Sequence, residues 1–196
     1  MHSDSTLNST KENLRRRFLE IRRELTFEKV FSLSLRIQKR FLESAYFKSA
    51  RRLSLYSSIQ NEVLTDEVFL EALRAGKDVY YPKVLKKKRH LDFFHVADLD
   101  ELTPGAFDIR EPEKDSQAVG PGGFDLMVVP GVVFDPGGGR VGFGRGYYDR
   151  ALKGLECEVV ALAYEVQVLD RKKIPMEAHD VRVGVIVTEN RVIKTR

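Results

Sequence analysis

The chain has 196 residues, a formal net charge of +4 and a pI of about 9.1. Hydrophobic residues make up 42% and charged residues 32%, which predicts a globular protein of one domain with a substantial core. The modest basic excess suits an anionic ligand such as a nucleotide, and it also permits RNA binding.

Composition argues against a disulfide-stabilised protein and against a helical membrane protein. The lone cysteine, Cys157, excludes an internal disulfide and fits a reducing compartment. The longest apolar run, residues 126–134, is interrupted by Pro130 and Gly131 and falls far short of the roughly 20 residues of a membrane helix. No basic start followed by an apolar stretch is present, so we expect no secretory signal, no membrane partner and a cytoplasmic location.

Helices are predicted for the first part of the chain. Residues 1–8 are small and polar and predict a disordered tail, after which Ser9 and Glu12 have the spacing of a capping box. Apolar residues at helical spacing predict a first helix that ends near Leu25 and a second from Phe27 to Ala45. The arginines expected on the exposed face of the first helix are Arg16, Arg17, Arg22 and Arg23.

Strands alternate with helices in the rest of the chain. Alternating polarity predicts a strand that ends near Ser57, and Thr65 is placed to cap a third helix that ends at Gly76. Residues 98–123, rich in Pro, Gly, Asp and Glu, predict a long loop, and a helix is expected from Tyr147 to Leu155. The other predicted strands are "KDVYYPKV", "HLDFFHV", "FDLMVVPGVVF", "CEVVALAY" and a closing hairpin, "VGVIVTENRVIKT", that turns at Glu189 and Asn190.

This order of elements predicts an α/β fold. We expect a single three-layer domain over residues 9–196, with a largely parallel central sheet flanked by helices.

Glycines are concentrated in one stretch, residues 128–150, which holds seven of the fourteen. In the run "GFGRG", residues 142–146, they alternate with side chains, which allows positive φ and leaves backbone N–H groups uncovered. Such groups form a nest for an oxyanion, and a helix start near Tyr147 adds partial positive charge. With Arg140 and Arg145, the stretch predicts a phosphate cradle that is neither a P-loop nor a dinucleotide motif. An ordinary flexible surface loop is the alternative interpretation.

Two aspartates are candidates for binding Mg²⁺ beside bound phosphates. Asp149 lies just inside the predicted helix start, where its alternative role is to favour the helix end electrostatically. Asp180 precedes the last strands, where a loop can bring it to the same edge of the sheet. Because Mg²⁺ typically takes one or two carboxylates plus phosphate oxygens, this pair is sufficient for a shared site.

The span "PGVVFDPGGGRVGFGRGYYDR", residues 130–150, resembles the signature of the 5-formyltetrahydrofolate cyclo-ligases, also called 5,10-methenyltetrahydrofolate synthetases. Three further stretches resemble family motifs in the same order: "KENLR" at 11–15, "SLYSSIQNEV" at 54–63 and "AHDVRV" at 178–183. The resemblance therefore covers nearly the whole chain. It implies conversion of 5-formyltetrahydrofolate, ATP and Mg²⁺ to 5,10-methenyltetrahydrofolate, ADP and phosphate.

The resemblance also implies a set of site residues. Glu62 matches the glutamate that holds the pterin, Asp149 and Asp180 match the metal ligands, and Arg145 and Tyr147 are the expected catalytic residues. Expected folate contacts are Ser57, Glu62, Phe143, Gly144, Arg145, Gly146 and Tyr147. Expected ATP contacts are Lys11, Arg15, Arg140, Val141, Gly142, Phe143, Gly144, Arg145, Gly146, Tyr147, Tyr148 and Asp149.

The implied reaction must overcome two defects of an N-formyl group. The group is an amide, so its carbonyl is a poor electrophile and its oxygen is a poor leaving group. Transfer of the γ-phosphoryl of ATP to that oxygen corrects both, and N10 of the same folate then closes the ring intramolecularly. The protein must position both substrates and neutralise charge on the phosphoryl, to which Arg145, set between two glycines, has close access.

Other functions stay open at this point. A homologue could keep the fold and the nucleotide loop but act on another substrate, and a basic RNA-binding protein is the rival from another class. The run "KKKRH", residues 86–90, is either a solvated turn or a landing patch for the acidic tail of a polyglutamylated folate or for RNA. We expect a monomer with no nucleic-acid partner.

Overall fold

The computed structural model describes residues 10–87, 89–113, 117–170 and 173–195. The predicted tail, Ser9 and Lys88 of the basic run lie outside these ranges. The α-helices are α1 (Lys11–Arg23), α2 (Phe27–Leu42), α3 (Ala45–Ser49), α4 (Asp66–Arg74) and α5 (Tyr147–Leu152). The strands are β1 (Arg52–Ser54), β2 (Asp78–Leu85), β3 (His90–His95), β4 (Leu102–Pro104), β5 (Arg110–Pro112), β6 (Leu126–Val129), β7 (Val133–Phe134), β8 (Arg140–Val141), β9 (Glu158–Leu162), β10 (Val185–Val187) and β11 (Val192–Lys194).

A seven-stranded sheet forms the centre of the molecule, in the order β11-β10-β9-β6-β1-β2-β3. The five inner strands run parallel to one another, while β3 and β11 pair antiparallel at the two edges. Two small antiparallel ribbons, β4–β5 and β7–β8, lie outside this sheet. The predicted α/β class with a largely parallel sheet is confirmed.

Both faces of the sheet are buried, which explains the continuous apolar runs of its central strands. Along β6, Leu126 and Val128 join the core under α2, α3 and α4, while Met127 and Val129 join the core under α5. A third cluster packs α1 onto the β7–β8 ribbon. No described helix combines the length and the apolar character needed to cross a membrane.

The strand and hairpin predictions made from alternation and turn residues are confirmed with small shifts. Strands β3 and β9 lie within the predicted segments, and β2 runs one residue past its predicted segment, to Leu85. The closing hairpin pairs Val187 with Val192, which places the turn at the predicted Glu189 and Asn190. Strand β1 ends at Ser54 rather than near Ser57.

Several predicted boundaries are wrong. The strand expected through Phe134 stops at Val129, because Pro130 has no N–H to continue the ladder, and Val133–Phe134 pairs with β8 instead. Residues 98–123 are not one loop, since they contain the β4–β5 ribbon and three single 3₁₀ turns. Helix α5 ends at Leu152 rather than Leu155.

Helix caps also differ from the sequence prediction. Thr10 caps α1 by accepting a hydrogen bond from Asn13 N. The second predicted helix ends at Leu42 rather than at Ala45, and the Ser44 hydroxyl accepts from Phe47 N to start a separate helix, α3. Thr65 occupies the predicted cap position of α4, but its hydroxyl donates to Tyr56 O.

Candidate active site

The candidate site lies where loops leave the carboxyl ends of the parallel strands. The segment after β1 carries Glu62, and the segment after β6 forms the β7–β8 ribbon and then the loop at residues 142–146. Helix α1 packs Leu14 and Phe18 across this ribbon, so its polar side chains reach both segments. Sequence stretches far apart in the chain therefore meet at one edge of the sheet, as expected for this fold class.

The glycine-rich stretch consists of two parts with different roles, and the first part is structural. Asp135, 1% exposed, accepts hydrogen bonds from Gly137 N at 2.8 Å, Gly139 N at 3.0 Å and Ile174 N at 2.7 Å. A Cβ at Gly139 would lie 2.4 Å from an Asp135 carboxylate oxygen. These glycines let the chain turn around a buried carboxylate, and they are not available for phosphate.

The second part, residues 142–146, is open. Gly144 has φ 88° and Gly146 has φ 64°, backbone conformations that favour glycine. Phe143, Gly144 and Arg145 are exposed. Helix α5 has only six residues, so its dipole offers little positive charge to a phosphate. The main-chain N–H groups of the loop are the more important candidates for phosphate binding.

Arg15 ties helix α1 to this open loop. Its Nε donates to Gly142 O at 2.8 Å. A Cβ placed on Gly144 would lie 3.1 Å from the Arg15 guanidinium carbon, so the lack of a side chain there lets the guanidinium lie against the loop backbone. Arg15 and the glycine loop, both expected to contact ATP, are thus in direct contact with each other.

Arg140 and Asp149 form an ion pair beneath the loop. Arg140 NH2 lies 3.1 Å from Asp149 Oδ1, and the side chain of Arg140 is 3% exposed. Asp149 Oδ1 also accepts from Val181 N at 3.3 Å, which brings this aspartate next to Asp180 in space. The Arg140 guanidinium lies 5.7 Å from the ring centre of Tyr148, and its Nε is buried without a hydrogen-bond partner among the described residues.

Lys11 and Asp180 are also joined. The ammonium group of Lys11 bonds Asp180 Oδ2, and it lies 3.1 Å from Glu177 Oε1. Burial alone would lower the pKa of Lys11, but its hydrogen bonds with Asp180 and Glu177 raise that pKa above its ordinary value. For Asp180, burial raises the pKa while Lys11 and Glu177 N lower it, and the net direction is downward. Both groups are therefore ionised near neutral pH.

Glu62 is buried at the floor of the site, with 4% of its surface exposed. Its Oε2 accepts from Ile59 N at 3.1 Å, and its Oε1 has no hydrogen-bond partner among the described residues. Burial raises the pKa of this carboxyl to about 7, although the positive charge of Arg22 opposes the rise. Burial, and after it the charge of Glu62, raises the pKa of the Tyr148 hydroxyl above its ordinary value.

Arg145 lies over an aromatic ring at the rim of the site. Its guanidinium carbon is 4.2 Å from the ring centre of Phe107, and Lys86 Nζ is 5.1 Å from the same centre. The Tyr147 ring centre is 6.2 Å from that of Phe107. Phe107 has φ 61°, an uncommon conformation for an aromatic residue. The basic turn between β2 and β3 is therefore adjacent to the glycine loop.

Ser57 is the predicted folate contact least connected to the rest of the site. Its hydroxyl donates to Arg110 O in β5 at 2.6 Å. Among the described residues, no hydrogen bond or ion pair joins Ser57 to the glycine loop. Val141, predicted as an ATP contact, is 2% exposed, and its carbonyl oxygen accepts a hydrogen bond from Val132 N.

The structure corrects one prediction and reveals two residues that sequence reasoning missed. Arg22 was expected on the exposed face of α1, but it is 1% exposed and 3.8 Å from Glu62. Helical spacing could have indicated that Arg22 is buried, since it follows the buried residues Leu14 and Phe18 at intervals of four. No feature of the sequence indicated that Phe107 lies at the site. Its position depends on a turn within residues 98–123, which were predicted only as a long loop.

The amino ends of the central strands offer a second cleft, far from these residues. Gly122, Phe124, Asp125, Leu155 and Cys157 line it. Burial raises the pKa of the Cys157 thiol, which makes it a poorer nucleophile. This cleft brings together none of the predicted site residues.

Comparison with known proteins identifies the family. Residues 7–189 match the model of the 5-formyltetrahydrofolate cyclo-ligase family. A 5-formyltetrahydrofolate cyclo-ligase of Mus musculus is 29% identical over 202 residues, covering 94% of this chain and 96% of its own. The solved structure of Aquifex aeolicus 5,10-methenyltetrahydrofolate synthetase matches with a TM-score of 0.83 and 36% identity, over 95% of this chain and 93% of that chain.

A second solved structure agrees. The 5,10-methenyltetrahydrofolate synthetase from Mycoplasma pneumoniae matches with a TM-score of 0.73 and 25% identity, over 91% of this chain and 98% of that chain. The family match spans most of the sequence, and the fold agrees with solved members over nearly their whole length. The chain belongs to the 5-formyltetrahydrofolate cyclo-ligase family.

Proposed function

We propose that this chain catalyses the ATP- and Mg²⁺-dependent conversion of 5-formyltetrahydrofolate to 5,10-methenyltetrahydrofolate, with release of ADP and phosphate. One observation carries the proposal beyond family membership. The open glycine loop is bonded to Arg15 on one side and leads into Asp149, which contacts the Asp180 segment, on the other. Residues from two remote stretches, α1 and the Asp180 segment, thus meet beside one loop that suits a triphosphate.

The nucleotide site is assigned to α1 and the loop. Lys11 and Arg15 supply positive charge from the first turns of α1, and Arg140 supplies it from β8, just before the loop. Backbone N–H groups of residues 142–146 suit the phosphate oxygens, because positive φ at Gly144 and Gly146 leaves them uncovered. Arg145 is exposed on this loop, so its guanidinium is free to exchange Phe107 for a phosphoryl group.

The folate site is assigned to the segment after β1 and the start of α5. Glu62 offers a buried carboxylate oxygen without a partner among the described residues, which suits the N–H donors on one edge of a pterin ring. The charge of that carboxylate acts on the Tyr148 hydroxyl, and the ring of Tyr147 lies at the rim beside Phe107. Ser57 stays a predicted contact on the same segment.

The chemical step follows from this placement. The formyl oxygen attacks the γ-phosphorus and the bond to ADP breaks, which leaves an electrophilic carbon bonded to N5 and to a phosphate oxygen. N10 of the folate attacks that carbon, and the carbon–oxygen bond breaks with release of phosphate and loss of the N10 proton. Arg145 neutralises charge on the transferring group, while Glu62 holds the pterin so that N10 stays close. The protein forms no covalent bond to substrate.

The acidic residues present fit a magnesium ion shared with phosphates. Asp149 and Asp180 are neighbours, and each keeps one carboxylate oxygen free of a hydrogen bond from a described residue, Oδ2 in Asp149 and Oδ1 in Asp180. The described residues hold no cluster of three or more His, Cys, Asp or Glu side chains suited to a metal. That donor set matches Mg²⁺, which usually takes only one or two carboxylates beside phosphate and water. When bound, the ion would offset negative charge on the phosphates.

We also propose a cytoplasmic monomer that does not act on nucleic acid. The described basic side chains near the site converge on one loop and one turn, rather than interleaving with aromatic residues along an exposed strand face. A salt-sensitive RNA affinity that ignores ATP would favour the RNA-binding alternative.

The proposal is tested by mixing the purified protein with 5-formyltetrahydrofolate, Mg²⁺ and ATP and following the absorbance of the methenyl product. We expect product only when ATP is present. Absence of product with nucleotide binding intact by calorimetry would point to a homologue with another substrate. Absence of both would contradict the phosphate cradle itself.

A further inference from the structure

A buried arginine lies between the two proposed substrate sites. Arg22 on α1 is 1% exposed, and its partner Glu62 is 4% exposed. Arginine and glutamate are almost never buried unless they are paired, and such pairs are costly to desolvate. The pair therefore needs an explanation other than stability.

Arg22 is held in place by main-chain groups. Its Nε donates to Gln60 O at 2.9 Å and its NH1 donates to Gly131 O at 3.2 Å. These carbonyls belong to the segments that follow β1 and β6. The guanidinium thus joins α1 to both loops that build the site.

The contact between Arg22 and Glu62 is incomplete. Arg22 NH1 and Glu62 Oε1 are 3.8 Å apart, which is too long for a hydrogen bond. Arg22 NH2 and Glu62 Oε1 are both buried without a partner among the described residues. Buried charged atoms normally have partners, so these two atoms indicate a place where a polar ligand completes the network.

Arg22 also contacts the glycine loop. Its guanidinium carbon is 5.5 Å from the ring centre of Phe143, which is 38% exposed at the middle of the loop. A cation under an aromatic face is an attractive contact, and it grows stronger when water is excluded. One side chain therefore contacts both the carboxylate assigned to folate and the loop assigned to ATP.

We propose that Arg22 is a positioning residue of the folate site, which favours the ionised form of Glu62, aims it at the pterin N–H donors and holds Phe143 over the same space. The inference rests on the proposed function and adds a residue to it. Arg22 supplies the compensating charge that lets a carboxylate, rather than a carboxylic acid, meet those donors. A neutral acid would present an O–H toward the ligand's N–H groups, which is repulsive.

The electrostatics around the pair agree with this role. The groups that face Glu62 from the packed elements are Arg22 on α1, Tyr148 on α5 and the hydroxyls of Tyr56 and Tyr164. Arg23 acts on Arg22 from the same helix. Burial lowers the pKa of Arg22 below its ordinary value, but a guanidinium stays protonated at any pH near neutral. Arg22 is thus the cation that opposes the raised pKa of Glu62, which lies at about 7.

The test compares Arg22→Met, Arg22→Lys and the matched control Arg23→Met, which alters the next, exposed arginine of α1. Calorimetry measures the affinity for 5-formyltetrahydrofolate without ATP across neutral pH, and carbon NMR follows the Glu62 carboxyl in the free protein. In the wild type and in R23M, affinity should rise with pH through a midpoint near 7, because ionised Glu62 binds best.

In R22M the midpoint should move up by about one pH unit or more, since an opposite charge is lost. Affinity at neutral pH should fall by about fivefold or more and recover as pH rises through the new midpoint. In R22K the midpoint should stay near that of the wild type while affinity falls, because a lysine cannot reach both carbonyls. The unchanged midpoint and lowered affinity expected of R22K therefore test the positioning role even if R22M does not fold.

Different outcomes overturn different claims. An R22M affinity reduced equally at every pH, or an unchanged Glu62 titration, would mean that Arg22 only supports the fold. Wild-type affinity in R22K would contradict the positioning role. Absence of folate binding by the wild type at any pH would overturn the proposed function instead, while the carboxyl titration would still decide whether Arg22 controls Glu62.

Discussion

Arginines of the site are distinguished by burial rather than by sequence. Arg140 and Arg22 are buried and bonded to carboxylate or carbonyl groups, whereas Arg145 is exposed on the loop. A buried guanidinium fixed by its neighbours shapes the site. An exposed one is free to follow charge as it develops on a transferring phosphoryl group.

The first prediction concerns Arg145→Ala. Turnover should fall by about a hundredfold to a thousandfold, the usual effect of removing one group that stabilises transition-state charge. Stability should change by less than about 1 kcal/mol, because the residue is exposed and loses only its contact with Phe107. Steady-state kinetics and urea unfolding measure the two quantities.

A matched control for R145A is Arg16→Ala, which removes an exposed arginine of α1 whose described hydrogen bond goes to Asn13. We expect R16A to keep wild-type turnover. Equal loss of turnover in both variants would indicate a general effect of net charge and would contradict a specific role for Arg145.

At the scale of elements, the glycine-rich stretch combines a folding motif with a binding loop. Asp135 and its three N–H donors form the motif, while residues 142–146 form the loop. Sequence analysis does not reveal this division, because a glycine that turns around a buried carboxylate and a glycine that exposes N–H groups are the same residue type. The glycines of the predicted phosphate cradle, residues 142–146, all belong to the second part.

The second prediction is that Asp135→Ala destabilises the fold by about 3 kcal/mol or more, since it leaves three N–H donors of a buried turn without an acceptor. The control Asp98→Ala removes an exposed aspartate that caps a single 3₁₀ turn by accepting from Asp100 N. That control should lose about 1 kcal/mol. Urea unfolding of the two variants checks the difference, and similar losses would contradict the structural role of Asp135.

The third prediction separates backbone strain from binding at two glycines with positive φ. Gly144 and Gly154 have φ 88° and 75°, so alanine at either position should destabilise by about 1–2 kcal/mol. Only Gly144 faces Arg15, while a Cβ at Gly154 meets nothing within 4 Å. G144A should therefore also weaken ATP binding, and G154A should not.

Calorimetric titration with ATP distinguishes the two glycine variants. ATP affinity that falls equally in both would mean that strain alone is responsible and that the contact between the loop and Arg15 has no part in binding.

At the scale of the whole molecule, the sheet was the most predictable feature. Apolar runs without alternation indicated strands buried on both faces, and β6 and β9 confirm this. The end of β6 and the β4–β5 ribbon were missed, because Pro130 and the turns of residues 98–123 act through local geometry that periodicity does not detect. Site residues that belong to a local sequence motif were predictable. Arg22 was not, because its role depends on burial, which the local sequence does not show.

The fourth prediction follows from the ion pairs that tie α1 to the C-terminal segment. ATP with Mg²⁺ at about a hundred times its dissociation constant should stabilise the fold by about 2.7 kcal/mol, which raises the melting temperature by about 5–10 °C. Lys11→Met should lose most of that increase, because Lys11 lies beside Asp180 at the proposed phosphate site.

Differential scanning calorimetry checks the effect, with 5-formyltetrahydrofolate alone as the comparison ligand. Stabilisation by folate should persist in K11M, since Lys11 is assigned only to the nucleotide. Loss of both effects would mean that Lys11 supports the whole site rather than ATP.

The most direct test of the central claim follows the formyl oxygen of the substrate. 5-Formyltetrahydrofolate labelled with oxygen-18 in the formyl group is converted with ATP, and the released phosphate is analysed by mass spectrometry. The account predicts one labelled oxygen in each phosphate, because the γ-phosphoryl group is transferred to that oxygen before the ring closes. Unlabelled phosphate, with the label in water, would contradict phosphorylation of the formyl oxygen.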